Sequence, residues 1–162
     1  MSKDNDRAKQ QLIERVGKAV RKMGAQNVIT SAVVAEKFGI HKTDLESLDL
    51  IYLRGGTCSP GELSEATGLT SGSTTALIDR LVKAGYVMRE PDPKDRRRQV
   101  IRLVPEAIEP IKAVYSPMQT AMFKLWSEYS AADLETIVDF LIRSTQLSVE
   151  CVARIQAERA DR

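Results

Sequence analysis

Lys94, Arg96, Arg97 and Arg98, with Arg102 shortly after, are the side chains of this sequence with the clearest chemical bent. Guanidinium and ammonium groups stay protonated at neutral pH and donate without accepting, so they do not move protons; they grip phosphate. Asp95 stands inside the run. Upstream lie Ser71, Ser73, Thr74 and Thr75, and then Arg80. Small hydroxyls bond to phosphates or base edges, and a threonine methyl can touch thymine. For Ser71, helix capping is an equal alternative. The chemistry on offer is recognition of a polyanion, with no bond broken.

The elements around these residues decide whether the charge run means anything, because such a run on its own is usually a solvated face. Ser59-Pro60-Gly61-Glu62 has capping-box spacing, with proline where a missing N–H costs nothing. A short apolar helix follows and ends at Gly68-Leu69-Thr70. Thr70 is placed to cap a second helix, and Gly85 to stop it. Leu63, Ala66, Leu69, Leu77, Leu81 and Val82 are expected to share one small core. Next come a strand Tyr86–Arg89, a tip Pro91–Arg98 and a return strand Gln99–Val104. Two helices joined by a tight turn form a helix-turn-helix, and the basic hairpin makes it a winged one. In that setting Lys94, Asp95, Arg96, Arg97 and Arg98 read as a DNA-contacting tip. Asp79 is expected to orient a neighbouring arginine, and Arg80 either to contact phosphate or to pair with Asp79.

Total charge does not announce this. The 162 residues carry 24 Lys and Arg against 22 Asp and Glu, a net +2, so the basic character lies in its distribution. The first residues are polar and no apolar run is long enough for a membrane, which gives a cytoplasmic expectation. Two cysteines, Cys58 and Cys151, are too few for a disulfide framework, and one histidine leaves no zinc-type cluster. There is no glycine-rich phosphate loop and no nucleophile beside a base, so no catalytic residue, metal or cofactor is expected and the chain does not read as an enzyme. A winged helix used only for protein contacts is the rival, and the basic tip counts against it.

The flanks are helical. Leu12, Val16, Val20, Met23 and Asn27, continuing to Val34 and Phe38, predict one long helix from about residue 6 to 38, with a kink plausible near Gly24 and Val28–Thr30. Thr43 with Glu46 predicts a capping box opening the next helix, which ends at Gly55-Gly56. Pro105 opens another, with Pro110 and Pro117 expected to kink or divide it. Ser130 with Asp133 starts the last, where Leu134, Val138, Leu141, Thr145, Ser148, Val152 and Ile155 form a stripe. Two long terminal stripes exceed what the small central core can cover, and a homodimer is expected, the alternative being that the stripe packs only on its own chain. The fold expectation is mainly α with a small β-hairpin wing: a dimerisation helix in residues 1–42, a winged helix-turn-helix in 43–104, and dimerisation helices in 105–162.

Thr43-Asp44-Leu45 with Leu48-Asp49-Leu50, the segment Leu63–Leu69, and Leu77-Ile78-Asp79-Arg80-Leu81 together resemble the MarR family of bacterial transcriptional regulators. So do Ala84-Gly85-Tyr86-Val87 and Asp92-Pro93-Lys94-Asp95-Arg96-Arg97. The resemblance implies a homodimer on a pseudo-palindromic operator in double-stranded DNA, usually a repressor, released by a small aromatic or phenolic effector or by oxidation. It makes Arg97 the wing-tip arginine of the minor groove, Asp95 the residue holding its loop, and Thr75 a base-contacting residue. Ala76 departs from the polar or basic residue that several members carry there. The implied effector cleft lies between the dimerisation and DNA-binding parts. His41 would line it, or be a plain loop histidine. Tyr115, Met118 and Met122, with Phe123 and Trp126, would form its wall, or pack as ordinary core. Cys58, just before a helix N-terminus, is the candidate for a redox alternative.

Overall fold

The structure, a computed structural model, describes residues 2–160, with side chains described for residues 5–158. The elements run α1 (Ser2–Phe38), α2 (Lys42–Leu53), β1 (Thr57–Cys58), α3 (Pro60–Thr67), α4 (Ser71–Lys83), β2 (Val87–Pro91), β3 (Gln99–Leu103), α5 (Pro105–Trp126) and α6 (Ala131–Ala160). The chain divides into two units, Met1–Val114 and Tyr115–Arg162.

The core of the first unit is built from several short amphipathic faces. Leu45, Leu48 and Ile51 of α2, Leu63 of α3, and Leu77, Ile78 and Leu81 of α4 are buried. Val87, Val100, Ile101 and Leu103 of the sheet and Ile108 and Ile111 of α5, with Val34 and Ala35 of α1 and Cys58 of β1, complete it. Ala66 and Val82, which the sequence places in this core, are exposed, and Leu69 is half-buried. Thr74, Leu77, Ile78 and Leu81 recur at three- and four-residue spacing and fill the inner face of α4. Val82 falls at the edge of that face, and Ile78 takes the core place expected of it. The hairpin pairs Val87 with Leu103 through Pro91 with Gln99. A two-residue third strand joins its other side, Thr57 opposite Arg102 and Cys58 opposite Ile101, giving the order β1-β3-β2.

Several helix boundaries differ from their sequence signals. The α1 helix spans 37 residues with no break at Gly24, and the Thr30 hydroxyl bonds back to the Gln26 carbonyl at 3.0 Å. Its apolar stripe is exposed over most of its length, and burial begins only at Val34 and Ala35. The α2 helix starts before Thr43: His41 is its N-cap and makes no side-chain cap, while the His41 carbonyl accepts from the Asp44 and Leu45 amides. Glu46 pairs instead with Lys42 at 3.2 Å. The α5 helix is continuous through Pro110 and Pro117. Each proline forfeits one backbone hydrogen bond, and the rest of the ladder carries the helix across.

The second unit holds the end of α5 and α6. Ser130 caps α6 by accepting from the Asp133 amide at 3.2 Å, as its spacing predicts. No described residue in this unit is buried. Met118, Met122, Phe123 and Trp126, then Val138, Leu141, Val152 and Ile155, all expose large apolar side chains. Phe123 and Trp126 meet edge to face, 5.4 Å between centroids.

Candidate nucleic-acid interface

The turn between α3 and α4 is held by local bonds that the sequence dictates. Ser59 accepts from the Glu62 amide at 3.2 Å, and the Glu62 carboxylate accepts from the Ser59 amide at 2.6 Å, closing the capping box. That Ser59 amide, aided by the hydroxyl and by Arg54 and Arg98 nearby, holds the Glu62 carboxyl below the usual range. Gly68 takes φ 68°, the left-handed conformation that lets the chain leave α3 sharply. The Ser64 hydroxyl donates to the Leu69 carbonyl at 2.7 Å, fixing the turn from inside. Thr70 then caps α4, accepting from the Ser73 amide at 3.3 Å, and Gly85 at φ 78° lets the chain turn into β2.

The expected contact residues of α4 do not all share one face. Ser71, Ser73 and Thr75 are exposed. The Ser73 oxygen accepts from the Thr70 hydroxyl at 3.0 Å, which leaves its own proton for an outside acceptor. The Thr75 hydroxyl donates to the Ser71 carbonyl at 3.0 Å and its side chain stays on the surface. Thr74 is different. It is 2 % exposed and its hydroxyl donates to the Thr70 carbonyl at 3.0 Å. Thr74 lies three, four and seven residues before Leu77, Ile78 and Leu81, on the inner face they define. It is a core residue, not the DNA contact that its residue type suggests.

Arg80 also departs from expectation. Its partner is Asp44 of α2, with Nη2 to Oδ1 at 2.7 Å and Nε to Oδ2 at 3.3 Å, a two-pronged contact. The hydrogen bonds from Arg80 to Asp44 raise the guanidinium's pKa further. Asp79 does orient an arginine, but that arginine is Arg89 of β2, at 2.7 Å. Arg102 is held by Glu90 at 2.6 Å, so it does not add a free charge to the wing. Sequence reasoning does not find Asp44, Arg89 or Glu90 as these partners. The one available signal is Asp44 itself, an acid in the first turn of a helix whose next residue belongs to the core.

The wing tip is built on two aspartates. Asp92 Oδ1 accepts from the Lys94 amide at 2.7 Å, and Asp95 Oδ1 accepts from the Arg97 amide at 3.1 Å. The Arg98 amide donates to the Asp95 carbonyl at 2.8 Å, and the Asp92 amide to the Arg98 carbonyl at 2.9 Å. These turns, in which a carboxylate substitutes for backbone, shape the loop without using a basic side chain. Lys94, Arg96, Arg97 and Arg98 are exposed, and among the described residues none of them closes an ion pair. Asp95 holds the loop, as expected.

The remaining expected residues belong to elements other than α4 and the wing tip. His41, in the first unit, is exposed at the start of α2, and Met118 and Met122, in the second, are exposed on α5. Tyr115 is half-buried. Cys58 is 4 % exposed in β1. Burial, reinforced by Glu62 and opposed by Arg54, pushes its thiol up to about 11. A helix N-terminus stabilises a thiolate, so this shift runs against the redox alternative for which its place before α3 makes Cys58 the candidate. Among the described residues no cluster of His, Cys, Asp and Glu is arranged to hold a metal ion, and no helix is long and apolar enough to cross a membrane.

Comparison with known proteins also finds helix-turn-helix transcriptional regulators. The sequence profile of the MarR family matches residues 44–98, from the Arg80 partner to the end of the wing tip. The HTH-type transcriptional regulator YcgE of Bacillus subtilis is 39% identical over 136 residues, covering 84% of this chain and 88% of that protein. The transcriptional repressor MprA of Escherichia coli is 30% identical over 78 residues, 48% of this chain and 44% of that protein. Among solved structures, the transcriptional regulator Tm0710 of Thermotoga maritima superposes with a TM-score of 0.57 at 28% identity, covering 85% of this chain and 94% of that one. The capped helix-turn-helix, the aspartate-built wing and these matches agree, and the chain belongs to the MarR family of DNA-binding transcriptional regulators.

Proposed function

We propose that the protein acts as a homodimer on a pseudo-palindromic operator, as a repressor. Each protomer lays α4 in the major groove through Ser71, Ser73 and Thr75, and sets the wing tip, Lys94 to Arg98, on the adjoining minor groove with Arg97 innermost. The observation that carries this reading is the exposed arginine tip ordered by Asp92 and Asp95, together with the exposed hydroxyls of α4. A narrow minor groove concentrates negative potential and attracts such an arginine. One winged helix reaches one half-site, and two-fold symmetry presents two about a helical turn apart. The exposed apolar side chains of α1 and α6 support dimerisation, since a stripe of this length facing water needs a cover. Residues 1–42 and 105–162 then serve assembly and residues 43–104 serve DNA. MprA, named a transcriptional repressor, supports the direction of control.

Control is assigned to a small aromatic or phenolic ligand, with His41 in the first unit and, separately, Tyr115, Met118 and Met122 in the second as the candidate contacts. Such a ligand must bind the arrangement unable to hold DNA better than the competent one, and DNA then weakens it reciprocally. The buried, high-pKa Cys58 disfavours oxidation as the switch. A gel shift on the DNA upstream of the protein's own gene, with sedimentation of the free protein, tests the reading. A footprint of two half-sites bound by a dimer is expected. A monomer in solution that binds no duplex selected from random sequence would sink it.

A further inference from the structure

Consecutive residues of α4 are tied to two different elements: Asp79 to Arg89 of β2, and Arg80 to Asp44 of α2. The second tie has features that surface ion pairs lack. The Asp44 side chain is 6% exposed, and its two oxygens meet Nε and Nη2 of one guanidinium. A two-point contact fixes orientation as well as distance. Beside it lies an open cavity of about 210 Å³ lined by Thr43, Leu69, Ser73, Ala76, Leu77 and Arg80. Side chains therefore leave an open gap between Thr43 at the start of α2 and the outer face of α4, next to the ion pair and outside the apolar core.

We propose that Asp44 is a positioning residue for DNA recognition: through Arg80 it sets the rotation and height of α4, and with them the places of Ser73 and Thr75. This rests on α4 being the helix that enters the groove. The charge argument makes the proposal sharp. A carboxylate beneath a DNA-facing helix repels the polyanion, so Coulomb's law alone favours its removal. Freeing Arg80 to reach a phosphate would favour removal again.

The test uses the full-length protein and an operator duplex that the wild type selects from random sequence. Asp44→Asn should weaken operator binding about tenfold, the scale of a broken coupling between elements, with the salt slope of log K unchanged. Binding is measured well below the melting temperature of each variant that folds. Amide resonances of Ser71 to Arg80 should move, while those of α6 stay in place. Arg80→Gln should weaken binding in the same way, again with the slope unchanged, and it carries the test if Asp44→Asn does not fold. The double variant should bind no worse than the weaker single one, because the two residues act as a unit. Equal or tighter binding by Asp44→Asn overturns the proposal. So does a salt slope that is shallower by about 0.9 per protomer in Arg80→Gln, since Arg80 would then be gripping a phosphate directly. If the wild type selects no duplex at all, the groove reading of α4 falls and the proposal falls with it; wild-type binding with unaffected variants removes the proposal alone.

Discussion

Changing Arg97 to alanine separates the wing's charge from its shape. The side chain is exposed and, among the described residues, closes no ion pair; the bond that orders the loop there is made by the Arg97 backbone amide to Asp95 at 3.1 Å. Alanine keeps that amide, so stability should change by no more than about 0.5 kcal/mol. DNA binding should change far more. Each charge neutralised on B-DNA contributes about 0.9 to the slope of log K against log salt, or about 0.9 log units at 0.1 M relative to 1 M. The proposed dimer has two wings, so the loss expected is about 1.8 log units, roughly 60-fold, with a slope shallower by about 1.8. Fluorescence anisotropy on an operator duplex across a salt series measures both quantities. Unchanged affinity and slope at matched salt would refute the assignment. Asp95→Ala supplies the complementary case: it raises the net charge but removes the acceptor that bends the tip, and binding should weaken. Tighter binding by Asp95→Ala would mean that the tip works as charge alone.

Ending the chain before Ser144 removes the second half of the α6 stripe, and light scattering should show a monomer or an insoluble product; a soluble dimer of unchanged stability would move the interface elsewhere. Ile78→Ala, at a site 1% exposed, should cost about 2–5 kcal/mol in chemical denaturation. Val82→Ala, at 38%, should cost about 0.5 kcal/mol or less. Cys58 titrates in the unfolded chain near its ordinary 9.0 and in the folded protein near 11, so the folded state holds the extra proton between those values. Stability should therefore fall as pH rises through that window, by on the order of 3 kcal/mol, and Cys58→Ala should remove that part of the slope. A thiol reagent at neutral pH should modify Cys151 first, with Cys58 reacting only on unfolding.

What is legible in the sequence is local. Ser59 with Glu62, Thr70, Gly68, Gly85 and Ser130 act on partners within a few residues, and each does in the structure what its spacing predicts. Thr43 with Glu46 has the same spacing and fails, because the His41 carbonyl starts α2 earlier and Lys42 engages Glu46. Thr74 misleads although its signal is present: the residue type suggests a contact, while its spacing from Leu77, Ile78 and Leu81 gives the inner face. The tie between Asp44 and Arg80 spans 36 residues of chain and has no periodic signal. Two-residue β1 is too short to carry one. The family resemblance reaches the fold and the wing, whereas the division of charges around α4 needs coordinates.

That division explains how a chain of net charge +2 presents a basic surface. Three acids on or next to α4 and the hairpin each meet an arginine: Asp44 with Arg80, Asp79 with Arg89, and Glu90 with Arg102. Asp92 and Asp95 commit oxygens to backbone amides inside the tip. Lys83, Lys94, Arg96, Arg97 and Arg98 are then the basic residues of α4 and the wing that, among the described residues, have no carboxylate in ion-pair range. The acids thus do not merely dilute the positive field. They fix the helix and the loop from which that field is projected, and a fixed charge is worth more to recognition than a free one because its orientation need not be restricted on binding. Deleting these carboxylates raises the net charge and, by this reasoning, loosens the grip that the added charge alone would tighten.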